Sequence, residues 1–526
     1  MNSITTKRWG APAALLPLAL AIAAETQAQA VPGGTLDPTT IPKYVTPLVI
    51  PPVLHDDGGA PMSAEVALRQ INQQVLPAGF PATPLWAYGD PANPATFNNP
   101  GFTIEVTKDT MTEIKWSNEL VDANGDFLPH IIQDQNGVPI VDQTLHWAAP
   151  NQDCLDGISR TDCRGASDQP YLGPIPMVVH VHGAHVGPGS DGYPEAWWLP
   201  AANDIPDGYE TNGTFFESAD GAETAIGKGY AIDEYSNDQP TATLWYHDHA
   251  LGMTRLNVYA AGAGFYMIRD NDDGETGLLS GLLPGPAPKS DDSAAALNTP
   301  GDPVRSAIRE IPIAIQPKSF NLDGTQFYPA NRAFFEGLGD GSTFADSTGL
   351  NIPFLPSMSS DIAPIWNPEA FFNTMVVNGT TWPELEVAPE RYRLRFVNAA
   401  DSRFMNLSLR KADPAARAEV PFYQIGSEQG LLPQVVRIET GFATPLPGDG
   451  RDVCPGKSGK NRRDCVARVP GTFAEQALLL GPAERPDVIV DFSRLDDGDY
   501  VYLVNTAPDA PFGGFPDVPA DPNTTG

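Results

Sequence analysis

The chain has 526 residues, 41% of them hydrophobic, which suits two or three globular domains and excludes a disordered chain. Its 54 prolines and 49 glycines exclude long helices and favour short strands joined by turns and loops. A formal charge of −33 repels nucleic acid and anionic membrane, so neither is an expected partner; it attracts cations, but its plainest consequence is a well-solvated acidic surface.

Residues 1–30 read as a secretory signal peptide. Lys7 and Arg8 supply the charged start, "APAALLPLALAIAA" the apolar stretch, and "AQA" the small residues that end at Ala30. No other apolar run reaches the ~18 residues of a membrane span. The mature protein is therefore expected in the periplasm or outside the cell.

A first β-sandwich is expected over 31–272. "TEIKWSN", "MVVHVH", "TATLWYH" and "AGFYMIRD" are its strand candidates, by period-two alternation and β-branched or aromatic content. Cys154 and Cys163, in "CLDGISRTDC", bracket a short polar loop within it. Cys454 and Cys465, in "CPGKSGKNRRDC", do the same further on. In an oxidising compartment each local pair is expected to close as a disulfide. A metal site is the rival reading, but neither loop has a histidine or a Cys-x-x-Cys spacing.

The histidines carry the functional signal. "MVVHVHG" contains His180 and His182, and "LWYHDHALG" contains His247 and His249. On a strand, residues i and i+2 face one side, about 7 Å apart. Two such strands side by side would present four imidazoles to one space. Imidazole suits copper, zinc, iron or nickel. Crowding ring nitrogens into an apolar setting is costly unless something binds them. A single His-x-His is usually an ordinary pair, but these two pairs hold four of the eight histidines. His55, His130, His146 and His185 stand alone in loop-like sequence and carry no such signal.

Residues 273–305, rich in Gly, Pro, Ser and Asp, read as a linker. A second sandwich is expected over 306–505, with "REIPIAI", "RYRLRFVNA", "QVVRIET" and "PDVIVDF" as strands. Residues 506–526 read as a tail. The fold class is all-β, two sandwiches in tandem.

The stretches "HVHGAHVGPGSDGYPEAWW" and "TLWYHDHALGMTRLNVYAAGAGFYMIRD" resemble the first-domain copper motifs of multicopper oxidases, nearest to the bacterial spore-coat laccase and bilirubin oxidase branch. The likeness runs on through "FNTMVVNGTTWPELEVAPERYRLRFVNAADSRFMNLSL" and "LLLGPAERPDVIVDFS", from about residue 100 to 505. It implies cupredoxin-like Greek-key sandwiches and copper cofactors. A type 1 copper would take single electrons from a phenolic, pigment or metal-ion substrate, and a trinuclear type 2 and type 3 cluster would pass four to dioxygen, giving water. By position, His180 resembles the type 2 ligand, and His182, His247 and His249 resemble type 3 ligands. Asp191, in "SDGYPEAW", resembles an acidic residue that helps proton movement; a turn or N-cap aspartate is the plain alternative.

The family's remaining cluster ligands, and its type 1 site, come from third-domain motifs of the form His-Pro-x-His-x-His and His-Cys-His-x-x-x-His. Residues 250–526 contain no histidine. The resemblance therefore implies half of a trinuclear site and no type 1 site. This chain by itself is expected to be catalytically incomplete, its partner a third cupredoxin domain lost, split off or carried elsewhere. A second copy would not supply the missing histidines. The alternative is a non-catalytic periplasmic copper-binding or scaffold protein.

Overall fold

The computed structural model describes residues 35–55, 62–134, 137–140, 171–260, 262–270, 282–328, 370–412, 419–439, 458, 460–461 and 477–507. Both cysteine pairs, His146, the signal-like segment and the tail from 508 lie outside them.

The first ten strands are β1 Val53–His55, β2 Met62–Gln73, β3 Thr83–Gly89, β4 Thr103–Thr107, β5 Thr112–Asn118, β6 Val179–His182, β7 Ala225–Gly227, β8 Tyr230–Tyr235, β9 Ala242–Asp248 and β10 Ala263–Arg269. They form two five-stranded sheets, ordered β1-β4-β10-β9-β6 and β3-β2-β5-β8-β7. The chain crosses between the sheets from β3 to β4 and from β4 to β5, so strands distant in sequence become neighbours. Between the sheets lies a core that includes Val66, Trp86, Ile104, Trp116, Val179, Leu244 and Tyr266.

The later strands are β11 Glu310–Ile315, β12 Ser319–Phe320, β13 Gln326–Phe327, β14 Val376–Val377, β15 Thr380–Thr381, β16 Arg391–Asn398, β17 Met405–Lys411, β18 Glu419–Val420, β19 Phe422–Ser427, β20 Gly430–Ile438, β21 Leu478–Leu480, β22 Pro486–Asp491 and β23 Val501–Asn505. A seven-stranded sheet runs β15-β14-β11-β16-β22-β19-β20. It faces a smaller sheet in which β17 pairs with β18, β21 and β23. A second core, including Ile313, Leu394, Phe396, Leu407, Phe422 and Val490, fills this lobe.

Strand alternation explains how the lobes join. On β3, Trp86 and Tyr88 point into the first core while Leu85 and Ala87 point into the second. On β9, Leu244 and Tyr246 face the first core, and Trp245 packs outward with Phe265, Met267, Val397 and Ala399. All seven residues of β9 are buried, because both faces of its sheet are covered. Each large apolar side chain so buried contributes about 1.5–3 kcal/mol.

The lobe junction also buries charge. The alternation of "RYRLRFVN" places Tyr392, Leu394 and Phe396 on one face of β16, as an amphipathic strand would. The other face carries Arg393 and Arg395, and both are buried rather than solvated. They meet Glu310 and Asp487, and Glu310 also holds Arg269, which pairs with Glu105 in the first lobe.

Segments without strand character are also fastened. Residues 35–50 lie across the second lobe: Leu36, Ile41, Leu48 and Ile50 join its core, and Leu48 donates its N–H to the Glu384 carbonyl. Within the linker-like segment are two short helices, Ala294–Asn298 and Pro303–Ala307. Ser293 and Asp302 cap them through side-chain oxygens, the usual way to satisfy free helix N–H groups. Leu297 enters the second core, and Asn298 exchanges two hydrogen bonds with the Ile50 backbone.

Candidate metal centre

β6 and β9 lie antiparallel at the edge of the first sheet, with His180 opposite His247 and His182 opposite Trp245. Val179 and Val181 fill the core, so their neighbours His180 and His182 share the outward face. Thr243, Trp245 and His247 share that face of β9 by the same rule. His249 follows β9, with its N–H on the Val178 carbonyl. All four predicted imidazoles therefore gather in one place. Ring centroids lie 5.4 Å apart for His180 and His182, 5.5 Å for His180 and His247, and 5.1 Å for His180 and His249. One ligand nitrogen from each of His180, His182 and His247 lies within 4.8 Å of the others.

The backbone decides which nitrogen is free. His180 Nδ1–H donates to the Asp191 carbonyl at 2.5 Å, and His247 Nδ1–H donates to the Asp248 carbonyl at 2.8 Å. Each ring then turns an Nε2 lone pair outward, the arrangement that orients metal-binding histidines. His247 Nε2 lies 3.2 Å from His182 Nδ1. Trp245 closes the site from the side, its ring 4.3 Å from His247 and stacked on His182 at 5.8 Å.

Burial favours the neutral forms of His182, His247 and His249. It lowers His182 to about 4, helped by the Arg485 cation and then by the charges of His180 and His249. Burial also drives His247 well below its ordinary value, against the pull of the Asp248 carbonyl. His249 is lowered for the same first reason. Its buried Nδ1 has no hydrogen-bond partner, and the Gly192 backbone pulls the ring's proton affinity the other way. Neutral imidazoles with converging lone pairs fit a borderline transition-metal cation such as copper.

The chain is 30% identical to a laccase of Bacillus stratosphericus over 467 residues, covering 88% of this chain and 62% of the laccase. It is 28% identical to multicopper oxidase LPR1 homolog 1 of Oryza sativa subsp. japonica over 431 residues, 82% of this chain and 48% of that protein. The chain is a homologue of laccases and multicopper oxidases. It spans less than two thirds of either relative's length. Among solved structures it is similar to the McoA multicopper oxidase of Aquifex aeolicus, at 17% identity and a TM-score of 0.48, over 88% of this chain and 60% of that one. No protein-family model matches the chain.

In this multicopper oxidase homologue Asp191 reaches the site chiefly through its backbone. Its carbonyl holds His180, while its half-exposed carboxylate lies 3.6 Å from the same Nδ1. The residue closes the short 3-10 turn Pro188–Ser190. Gly192 makes the close approach possible: a Cβ there would fall 2.4 Å from the Val179 carbonyl oxygen, and its φ of +76° favours glycine.

Of the other histidines whose side chains are described, His130 and His185 stand apart from the cluster. His185 is exposed and pairs with Asp238 at 2.7 Å. His55 ends β1. His130 is fully buried, packed against Trp86 at 4.8 Å, and burial lowers it to about 3.

Two groups near the site escaped sequence reading. Asp248 stands between two cluster histidines, yet alternation turns its side chain to the core. Arg485, from the second lobe, donates through Nε to the Thr243 carbonyl at 3.0 Å and lies near enough to lower His182. Asp248 could be inferred from strand periodicity, but nothing local in the sequence brings Arg485 to β9.

Among the described residues no helix is long and apolar enough to cross a membrane.

Proposed function

We propose that this chain supplies the first-lobe half of the copper centre of a laccase-type multicopper oxidase. The observation that carries this reading is the convergence of His180, His182 and His247 nitrogens within 4.8 Å, with His249 alongside. His180 would hold copper through Nε2, with Nδ1–H kept on Asp191; His247 would do so through Nε2, with Nδ1–H kept on Asp248. Copper bound there supplies one-electron transfer toward dioxygen, coupling oxidation of a small phenolic, pigment or metal-ion substrate to formation of water. The chain's own residues orient the imidazoles, favour the neutral forms of His182, His247 and His249 by burial, and shield one side of the group with Trp245. Asp191, whose half-exposed carboxylate lies beside His180, would take protons from solvent toward the site. The signal-like residues 1–30 support action in the periplasm or outside the cell.

These histidines form one side of a centre, and the sequence from 250 to 526 adds none. Further ligands would come from another cupredoxin unit, the partner this reading requires. The 526 residues by themselves are then expected to bind Cu(II) without the blue absorbance of a type 1 site and without oxidising a phenolic dye. His180→Ala or His247→Ala is expected to weaken Cu(II) binding at least tenfold, of the order seen when metal-site groups are lost. Calorimetric titration checks this. Unchanged affinity in both variants would sink the assignment, and blue colour with dye turnover would refute the half-site. Cu(II) binding with no gain of activity beside a complementary cupredoxin unit would favour a copper-holding role.

Asp191→Asn keeps the backbone carbonyl that fixes His180. It is expected to leave Cu(II) affinity within about threefold, since the metal-orienting bond survives. A larger loss in the same titration would show that the carboxylate itself holds the site.

A further inference from the structure

A buried polar chain runs behind the histidines, on the core side of the sheet. Asp248 Oδ2 accepts the Val178 N–H at 3.1 Å, and Oδ1 accepts the Ala250 N–H at 3.0 Å and the Asn257 amide at 2.9 Å. Val178 leads directly into β6, and Ala250 follows His249. One carboxylate thus ties together the ends of both His-x-His segments. Asn257, on the helix Thr254–Tyr259, also donates to the Pro176 carbonyl at 3.3 Å. Its Oδ1 faces His130 Nε2 at 3.2 Å. His130 Nδ1 accepts the Ile132 N–H at 3.0 Å, so its proton sits on Nε2 and points at Asn257. Every donor in the chain has an acceptor in only one arrangement, from His130 through Asn257 to Asp248.

Such a network is an expensive way to fill a core. Asp248 is 1% exposed, Asn257 2% and His130 0%, and buried polar groups cost free energy unless fully satisfied. Apolar side chains of similar shape would often serve stability as well or better. What an apolar core would not supply is a directional tie across β6 and β9 at the level of the histidines.

We propose that Asp248, backed by Asn257 and His130, is the positioning unit of the metal centre. It sets the spacing of His180, His247 and His249 by fixing the two strand ends against each other, without touching the metal. The proposal rests on the copper reading above and adds a function for three residues that ligate nothing.

The test uses the full 526-residue chain, titrated with Cu(II) alone and followed by calorimetry and electron paramagnetic resonance. Asp248→Asn turns one accepting oxygen into a donor facing an N–H. It is expected to lower Cu(II) affinity about tenfold or more and to change the copper hyperfine splitting, as loss of an outer partner of metal ligands does. His130→Leu, farther from the histidines, is expected to act in the same direction by a few-fold, within the range for such partners. His130→Gln keeps a donor for Asn257 and an acceptor for Ile132, and is expected to restore most of the loss. Ile114→Ala, in the same core, serves as the control, with a loss of thermal stability but wild-type copper spectra. Wild-type affinity and spectra in Asp248→Asn would overturn the positioning role and leave the copper reading intact. Equal changes in Ile114→Ala, or no rescue by His130→Gln, would also overturn it. No Cu(II) binding by the wild-type chain would overturn both.

Discussion

Glu310→Gln is expected to destabilise the protein by about 3–5 kcal/mol, the usual cost of breaking a buried ion pair from one side. Glu310 Oε1 accepts from Arg269 at 2.8 Å and Arg395 at 2.9 Å, and its Oε2 lies 3.5 Å from Arg393. Asp487 grips Arg393 at 2.5 Å, and Glu105 holds Arg269 at 2.8 Å. Three guanidiniums therefore face three carboxylates, and the group is neutral as a whole. Removing one negative charge leaves a buried net cation with no water to solvate it. The charges also join the lobes, since Glu105 and Arg269 come from the first and the other four from the second. Urea unfolding of the two proteins gives the difference directly. Replacing Arg395 as well, in Glu310→Leu with Arg395→Met, is expected to recover part of the loss, because the uncompensated charge disappears with it. A cost below about 1 kcal/mol for Glu310→Gln, typical of a solvated surface pair, would show that water reaches the network.

The second large effect is one of pH. Asp233 is buried on β8 near Tyr235, and burial pushes its carboxyl from 3.8 up to about 8, against the pull of the Tyr235 hydroxyl. Between those values the folded protein keeps a proton that the unfolded chain has released. Stability attributable to this group therefore falls as pH rises from about 4 to about 8, and is level outside that window. Asp233→Asn removes the titration. Relative to wild type, the variant is expected to be nearly unchanged near pH 4 and stabilised by a few kcal/mol near pH 8, by the proton linkage of a group shifted this far. Urea unfolding at both pH values checks it; the many surface carboxylates titrate alike in both proteins and cancel in the difference. A pH-independent difference between the two proteins would mean that Asp233 is solvated in the fold.

Much of the site was legible because it is local. Two His-x-His segments on strands must put each pair on one face, and Val179 and Val181 show which face meets the core. The same alternation identified β5, β10, β11 and β22. The strands β2 and β3 were not foreseen. Trp86, Tyr88, Leu85 and Ala87 feed two cores at once, so β3 reads as a continuous apolar run rather than an alternating one.

By itself the sequence determined the all-β class, the grouping of four histidines into two strand pairs, and the kind of metal those rings suit. These follow from residue type and from the period-two geometry of a strand, both short-range properties. Tertiary structure alone decided that β6 lies beside β9, so that the pairs become one cluster, and that the Asp191 and Asp248 carbonyls choose which imidazole nitrogens are free. It also decided that Arg393 and Arg395 of β16 are buried and that burial raises the proton affinity of Asp233. Alternation says which residues share a face. Whether that face meets water or another lobe depends on residues hundreds of positions away, and charge, burial and proton affinity follow from that neighbour rather than from the strand.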